Sequence, residues 1–324
     1  MRLVSFGPEG AVRAGVVVGD LVHPLPDGTS VLDLVRSGLP AALETGAHTV
    51  ATVAGVPLAA VRLAPPLQPP SIRDFMAFEA HVEGALRTVA TDAAVPQEWY
   101  DAPRFYFTNP AALVGAHDDV AVPPGCERLD FELEVAAVVG LDGRDLDRGS
   151  ADAALFGYTV LNDWSARDLQ RPEMRVGLGP CKGKDFATTL GPWLVTADEL
   201  HPLRDADGML PLLMTVEVNG VEVGRDRLSS MAWTFAELLS YASRGAPVRA
   251  GDVLGSGTCG GGGSLAELWG RATDADGGPP PLAIGDVVTM TVEGLGTIAN
   301  QVVAPTGGAP DVVPARRRPG AGRP

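Results

Sequence analysis

Two short stretches of the chain combine residue types that do chemistry. The first, Asp130-Phe-Glu-Leu-Glu-Val-Ala-Ala-Val-Val-Gly140, sets acids just ahead of an apolar run. Successive side chains of a strand alternate faces, so Glu132 and Glu134 share a face roughly 6 to 7 Å apart. Taken alone, the pattern also fits a solvated strand end. The second, Asn162-Asp-Trp-Ser-Ala-Arg-Asp-Leu-Gln170, follows another apolar strand and opens with Ser165 and Asp168 in the spacing of a helix capping box. Arg167 and Gln170, three apart, then share a helical face. Asp163 at a strand end, beside a turn presenting a cation and an amide, fits a site that binds oxyanions next to a hard metal ion; the plainer alternative is a salt-bridged surface turn. Oxygen ligands without His or Cys favour Mg²⁺, Mn²⁺ or Ca²⁺ over Zn²⁺, with the metal as a Lewis acid.

Five histidines (His23, His48, His81, His117 and His201) are scattered, without HExxH or HxH pairing. His81 stands apart: it lies beside the helically spaced stripe Phe78, Val82, Ala85, Leu86 and Val89, seven residues after Asp74. Several nucleotide and hydrolase signatures fail. Gly255-Ser-Gly-Thr-Cys-Gly260 satisfies GxGxxG, but its glycines run on to Gly263 without opening a long helix, and no βαβ alternation surrounds them. Gly183-Lys184 lacks the upstream glycine of a phosphate-binding loop, and no GxSxG elbow occurs.

The elements that must position these residues are mostly strands. Arg2 to Phe6 and Val12 to Leu25 read as a small antiparallel unit, and Val31 to Arg36 and Leu39 to Leu43 as helical pieces. Ala64-Pro-Pro-Leu-Gln-Pro-Pro70 disfavours helix and central strand, so a boundary is expected there. The expected division is a small N-terminal α+β domain at 1–66, a linker at 67–71, a β-rich catalytic domain at 72–303 and a flexible tail at 304–324. Within the catalytic domain, Glu132 to Val139, Tyr158 to Leu161, Pro192 to Val195, Leu212 to Val218 and Val287 to Val292 are expected strands. Thr234 and Glu237 make a capping box for a structural helix from Phe235 to Ala242. The tail carries Arg316, Arg317 and Arg318 without periodicity.

The 324 residues, 45% of them hydrophobic, can bury a sizeable core. A formal net charge of −15 repels phosphate backbones and anionic headgroups, so nucleic-acid and membrane-surface roles are not expected. Three widely spaced cysteines (Cys126, Cys181, Cys259) fit neither a disulfide framework nor a zinc site, and the first residues lack a signal-peptide pattern; the expected compartment is the cytoplasm.

The segments DFELEVAAVVG (130–140), GYTVLNDWSARDLQ (157–170), GKDFATTLGP (183–192), GDVLGSGT (251–258) and GDVVTMTVEGLGTIAN (285–300) together resemble the fumarylacetoacetate hydrolase family in order and spacing. The resemblance covers roughly residues 72 to 303. It implies a mixed β-roll catalytic domain, a homodimer with its interface in that domain, and Mg²⁺ or Ca²⁺ in a carboxylate cage. It implies Glu132, Glu134 and Asp163 as metal ligands, with Asp74 as a fourth. His81 falls at the water-activating base and Glu267 at the carboxylate orienting it. Arg167, Gln170 and Lys184 match the oxyanion-stabilising set, Thr188 a residue near the metal, and Thr258 a substrate contact. Met76 and Met174 stand where the fumarylacetoacetate-cleaving enzyme has substrate-contacting tyrosines, which argues against that substrate. The stretch Thr91 to Asn109, with Trp99, Tyr100, Arg104 and Tyr106, is read as a lid supplying specificity, with Arg104 and Tyr106 as substrate contacts; the plainer alternative is an ordinary surface loop. The leading expectation is a hydrolase of carbon–carbon bonds in a β-diketo or acylpyruvate-type acid. The alternatives are a decarboxylase, hydratase or isomerase of a 2-keto acid, and a non-catalytic metal and ligand-binding protein.

Overall fold

The β-branched runs pair into one large sheet in the computed structural model, which describes residues 1–87, 94–272 and 278–316. At its centre lies Leu133–Val139, antiparallel to Leu155–Asp163 on one side and to Val253–Gly255 on the other. Outward from there, Leu155–Asp163 pairs with Thr188–Thr196, and Val253–Gly255 runs parallel to Ile72–Phe75, which pairs in turn with Phe105–Thr108. Every residue of the strands Leu133–Val139 and Leu155–Asp163 is buried. Both faces of the sheet are covered, which is why these strands read as continuous apolar runs rather than alternating ones.

The alternation is still visible in which core each residue enters. Leu133, Val135, Ala137 and Val139 join the larger core, where Met214, Val216, Val288, Met290 and Ile298 from a second sheet of five strands pack against them. Ala136 and Val138 face the other way, into a core shared with Leu3, Val16, Leu34 and Leu194. Arg2–Phe6 pairs antiparallel with Thr188–Thr196, with Leu3 opposite Leu194, so the N-terminal strands continue the large sheet. The architecture is a strand-rich α+β fold with few helices.

The expected helix around Phe235 spans Phe235–Ser243, and its Thr234–Glu237 capping box is formed in both directions. The stripe from Phe78 gives a helix at Glu79–Arg87; Val89 lies outside the described residues, as do 91–93 of the expected lid and Arg317 and Arg318 of the tail. The Ser165–Asp168 capping box does not form. Ser165 and Ala166 instead pair as a short strand with Leu129–Asp130, the helix begins at Arg167, and the Asp168 carboxylate accepts from the Glu127 amide at 2.7 Å. A partner strand distant in sequence holds Ser165 extended, its hydroxyl donating to the Asp163 carbonyl at 3.0 Å.

Candidate active site

Four buried carboxylates, Asp74, Glu132, Glu134 and Asp163, meet where the central strands end, each offering one oxygen within 4.8 Å of the others. Register explains the convergence. Gly255 lies opposite Asp74 on one neighbouring strand and opposite Ala136 on the other, while Asp163 ends the strand whose Asn162 faces Leu133. A side chain at Gly255 has no room: a Cβ there would stand 2.4 Å from Asp74 Oδ1 and 3.0 Å from Glu134 Oε2. The glycine-rich run therefore lets backbone close over carboxylates. Gly257 donates its amide to Glu134 Oε2 at 3.1 Å, and the Thr258 hydroxyl donates to Glu134 Oε1 at 3.4 Å.

Among the described residues, the cations of this cluster gather on Glu132 and Asp163. Lys184 Nζ bridges Glu132 Oε2 and Asp163 Oδ2, each at 2.5 Å. Arg167 Nη2 contacts Glu132 Oε1 at 2.6 Å, and its Nη1 donates to Gln170 Oε1 at 3.2 Å, joining the residues expected to share a helical face. The electrostatic consequence divides the acids. Burial pushes Asp74 well up, reinforced by Asp163; burial and Asp74 do the same to Glu134; burial also raises Asp163, against the pull of Lys184. Burial alone would raise Glu132 too, but Lys184, Arg167 and His81 hold it below the usual carboxylate range. Asp74 Oδ1, Asp163 Oδ1 and the Thr188 hydroxyl are buried without a hydrogen-bond partner. Clustered, under-neutralised oxygens with open lone pairs fit a hard divalent cation. Thr188 sits beside Asp163 in strand register, where the resemblance puts it near the metal.

His81 stands between this cluster and a second carboxylate. Its Nδ1 is 3.5 Å from Glu267 Oε2 and its Nε2 is 4.0 Å from Glu132 Oε1. Two helices bring the pair together, Glu79–Arg87 and Leu265–Arg271, and they can approach because residue 84 is glycine: a Cβ there would be 2.5 Å from Glu267 Cγ. Arg271 Nη1 (2.7 Å) and the Gly262 amide (3.2 Å) grip the other oxygen of Glu267, leaving Oε2 toward the imidazole. Arg271 escaped the sequence reading although its i,i+4 spacing from Glu267 is legible.

A cleft of about 1300 Å³ opens from the carboxylates. Met76, Met174, Arg104, Thr258 and Gln170 line it with His81, and Met76 and Met174 are half-exposed. Of the expected lid residues, Tyr106 lines the cleft and reaches its acids. Its hydroxyl donates to Asp163 Oδ2, placing it against the acid cluster. Arg104 lies farther out, donating to the Tyr241 hydroxyl at 3.1 Å. Arg128, Arg171 and Arg175 add positive charge to the wall, with the Arg128 guanidinium 4.3 Å over the Trp269 ring.

The profile described as fumarylacetoacetate (FAA) hydrolase C-terminal matches residues 71–303. The chain belongs to the fumarylacetoacetate hydrolase family. It is 32% identical over 229 residues to a fumarylacetoacetase of Arabidopsis thaliana, covering 58% of this chain and 54% of that protein; the chain thus spans about half the length of such relatives. It is 27% identical over 307 residues to a 2,4-didehydro-3-deoxy-L-rhamnonate hydrolase of Sphingomonas sp., covering 93% of this chain and 96% of that one. An oxaloacetate tautomerase of Bacillus subtilis is 28% identical over 254 residues, covering 76% and 74%. Among solved structures, a fumarylacetoacetate hydrolase from Exiguobacterium antarcticum superposes with TM-score 0.73 at 25% identity, over 94% of this chain and 99% of that one. A maleylpyruvate hydrolase from Sphingobium sp. SYK-6, in complex with manganese(II) and pyruvate, shares the fold with TM-score 0.68 at 23% identity, over 94% and 100%.

Proposed function

We propose that the chain is a metal-dependent hydrolase that cleaves a carbon–carbon bond in a β-diketo or acylpyruvate-type carboxylic acid. One observation carries the reading: His81 turns one ring nitrogen to a buried carboxylate and the other to the acid cluster. That is the arrangement of a general base whose imidazolium is stabilised from behind. Asp74, Glu132, Glu134 and Asp163 would hold Mg²⁺, or Mn²⁺ or Ca²⁺, which when bound polarises substrate carbonyl oxygens as a Lewis acid. The chain's own residues do the rest. His81 Nε2 takes a proton from water, and the resulting hydroxide adds to the carbonyl remote from the acid head. The tetrahedral adduct collapses, the carbon–carbon bond breaks, and its electron pair leaves on the keto-acid fragment as an enolate, which regains the proton from His81. Arg167, Gln170 and Lys184 offer donors to the developing negative charge, each typically worth about 10² to 10³ in rate. Thr258 and the arginines of the cleft wall, with Met76 and Met174, take the remainder of an anionic substrate.

Hydrolysis of acetylpyruvate in H₂¹⁸O tests the reading: one label is expected in the new carboxylate. Carbon dioxide release or tautomerisation without label would overturn it in favour of the second reading, a 2-keto-acid decarboxylase, hydratase or isomerase. The similarity to an oxaloacetate tautomerase favours that second reading, because the same carboxylates serve enolisation without a water nucleophile. Homodimerisation through the 72–303 region and a cytoplasmic setting complete the proposal. The three cysteines are free, as a reducing compartment requires, and among the described residues no helix is long and apolar enough to cross a membrane.

A further inference from the structure

We infer that Asp130 is a positioning residue that joins the oxyanion arm Arg167 to the helix carrying Glu267. Its side chain is wholly buried and accepts from two directions. Oδ1 takes the amides of Phe131 and Leu265, both at 2.7 Å. Oδ2 takes the amide of Ala266 at 3.0 Å together with Arg167 Nε at 2.8 Å. Leu265 and Ala266 open the helix Leu265–Arg271, whose N-cap Ser264 accepts from the Glu267 amide. One carboxylate oxygen thus holds the start of the Glu267 helix and the root of the Arg167 guanidinium at once. The far end of the same guanidinium reaches Glu132 and Gln170. Displacing Oδ2 releases the Ala266 amide together with Arg167, whose Nη2 also lies 2.7 Å from it, and leaves the helix start held by the Leu265 amide on Oδ1 alone, so the base–carboxylate pair and the oxyanion donor lose their common register. A carboxylate at a helix N-terminus is favourable in itself; the bond to Arg167 makes this one a joint between two parts of the machinery.

The inference rests on the hydrolytic reading, and the test separates the two. Asp130→Asn can keep the Oδ1 bonds while placing an amide nitrogen against Ala266 and Arg167, so it removes the joint selectively. In the Mg²⁺-loaded full chain we expect kcat to fall by about 10² with little change in KM or Mg²⁺ affinity. The same substitution in an Arg167→Gln background is expected to cost only a few-fold more, because partners in one network are non-additive. Full multiplicative loss in the double variant, or unchanged kcat per folded molecule in the single one, overturns the inference. Should Asp130→Asn not fold, Asp130→Glu keeps the charge but shifts Oδ2, and the same cycle is read in it. If the wild-type chain hydrolyses nothing, the functional reading fails by itself. The joint is then judged by Mg²⁺-dependent oxalate affinity: weaker in Asp130→Asn supports it, while equal affinity in both chains, or no oxalate binding by the wild type, ends it.

Discussion

The floor and the wall of the cleft are built by different means. The floor, Asp74, Glu134 and Asp163, sits on paired strands with both faces of the sheet buried, and its carboxylates are almost wholly enclosed. The wall is made of helices and loops, and Met76, Arg104, Arg128, Met174 and Arg175 on it are all exposed. Strand register fixes the floor, at the cost of crowding like charges that Lys184 and raised pKa values relieve in part and a bound cation would relieve further. The wall carries no such constraint, so its residues can change without disturbing the chemistry below. Floor residues should therefore govern whether the reaction occurs, and wall residues which acid undergoes it.

The largest effect is expected at the floor. Glu134→Ala removes a proposed metal ligand that Gly257 and Thr258 hold in place, and activity should fall to background. Calorimetry should show that the stabilisation conferred by Mg²⁺, about 2.7 kcal/mol at a hundredfold excess over Kd, is lost with it. An equal loss of thermal stability in EDTA would make Glu134 structural and leave the floor without a metal role.

Next in size is His81→Asn. Metal affinity and folding should stay close to wild type while kcat falls by about 10² to 10⁴. Retained activity would transfer the reaction to the tautomerase-type alternative, since that route needs no water-activating base.

How much of this division is legible in the sequence follows from the same contrast. The period of two placed Glu132 and Glu134 on one face, and the Arg167–Gln170 spacing gave a bonded pair. What the glycine-rich run does, backing Asp74 and Glu134 where no Cβ fits, depends on strand neighbours far apart in sequence. Ser165 and Asp168 were misread because local capping spacing was overridden by pairing with Leu129–Asp130. Asp130 itself stood in the most informative segment of the chain without a role, since nothing in its neighbours shows that the amides of 265 and 266 arrive from another helix. The contact of Tyr106 with Asp163 is hidden in the sequence for the same reason.

A third, smaller effect concerns pH. Asp74 and Glu134 have native pKa values raised by burial, so at pH above the ordinary carboxylate value of about 4 the unfolded chain has released protons that the folded chain retains. Their contribution to stability is fully present below that value and is lost as pH rises through the raised native values. Glu132, held low, acts oppositely, losing its contribution as pH falls. In EDTA the melting temperature should therefore decline as the pH is raised above the ordinary carboxylate value of about 4, and Mg²⁺ should restore most at the upper end, where fewer protons compete for the ligands. A metal-free melting temperature that rises across that window would mean the acids are neutralised by Lys184 and Arg167 alone.

The smallest effect is expected on the wall, and it tests the division most directly. Met174 is half-exposed on the helix Arg167–Val176, only four residues past Gln170, so it shares a helix with the oxyanion arm while belonging to the cleft surface. Fully burying such a side chain against a ligand is worth about 1.5 to 3 kcal/mol, and partial burial about half of that. Met174→Ala should accordingly raise KM by about three- to tenfold at constant kcat, the signature of a contact made equally in the ground and transition states. Folding stability should change by no more than about 0.5 kcal/mol, as for other exposed positions. Steady-state kinetics on a short and a long acylpyruvate would read this out, with the larger KM change on the longer acid. If kcat drops instead, the helix does not separate into a catalytic end at Arg167 and Gln170 and a selecting end at Met174, and Met174 belongs with the catalytic residues rather than with the wall.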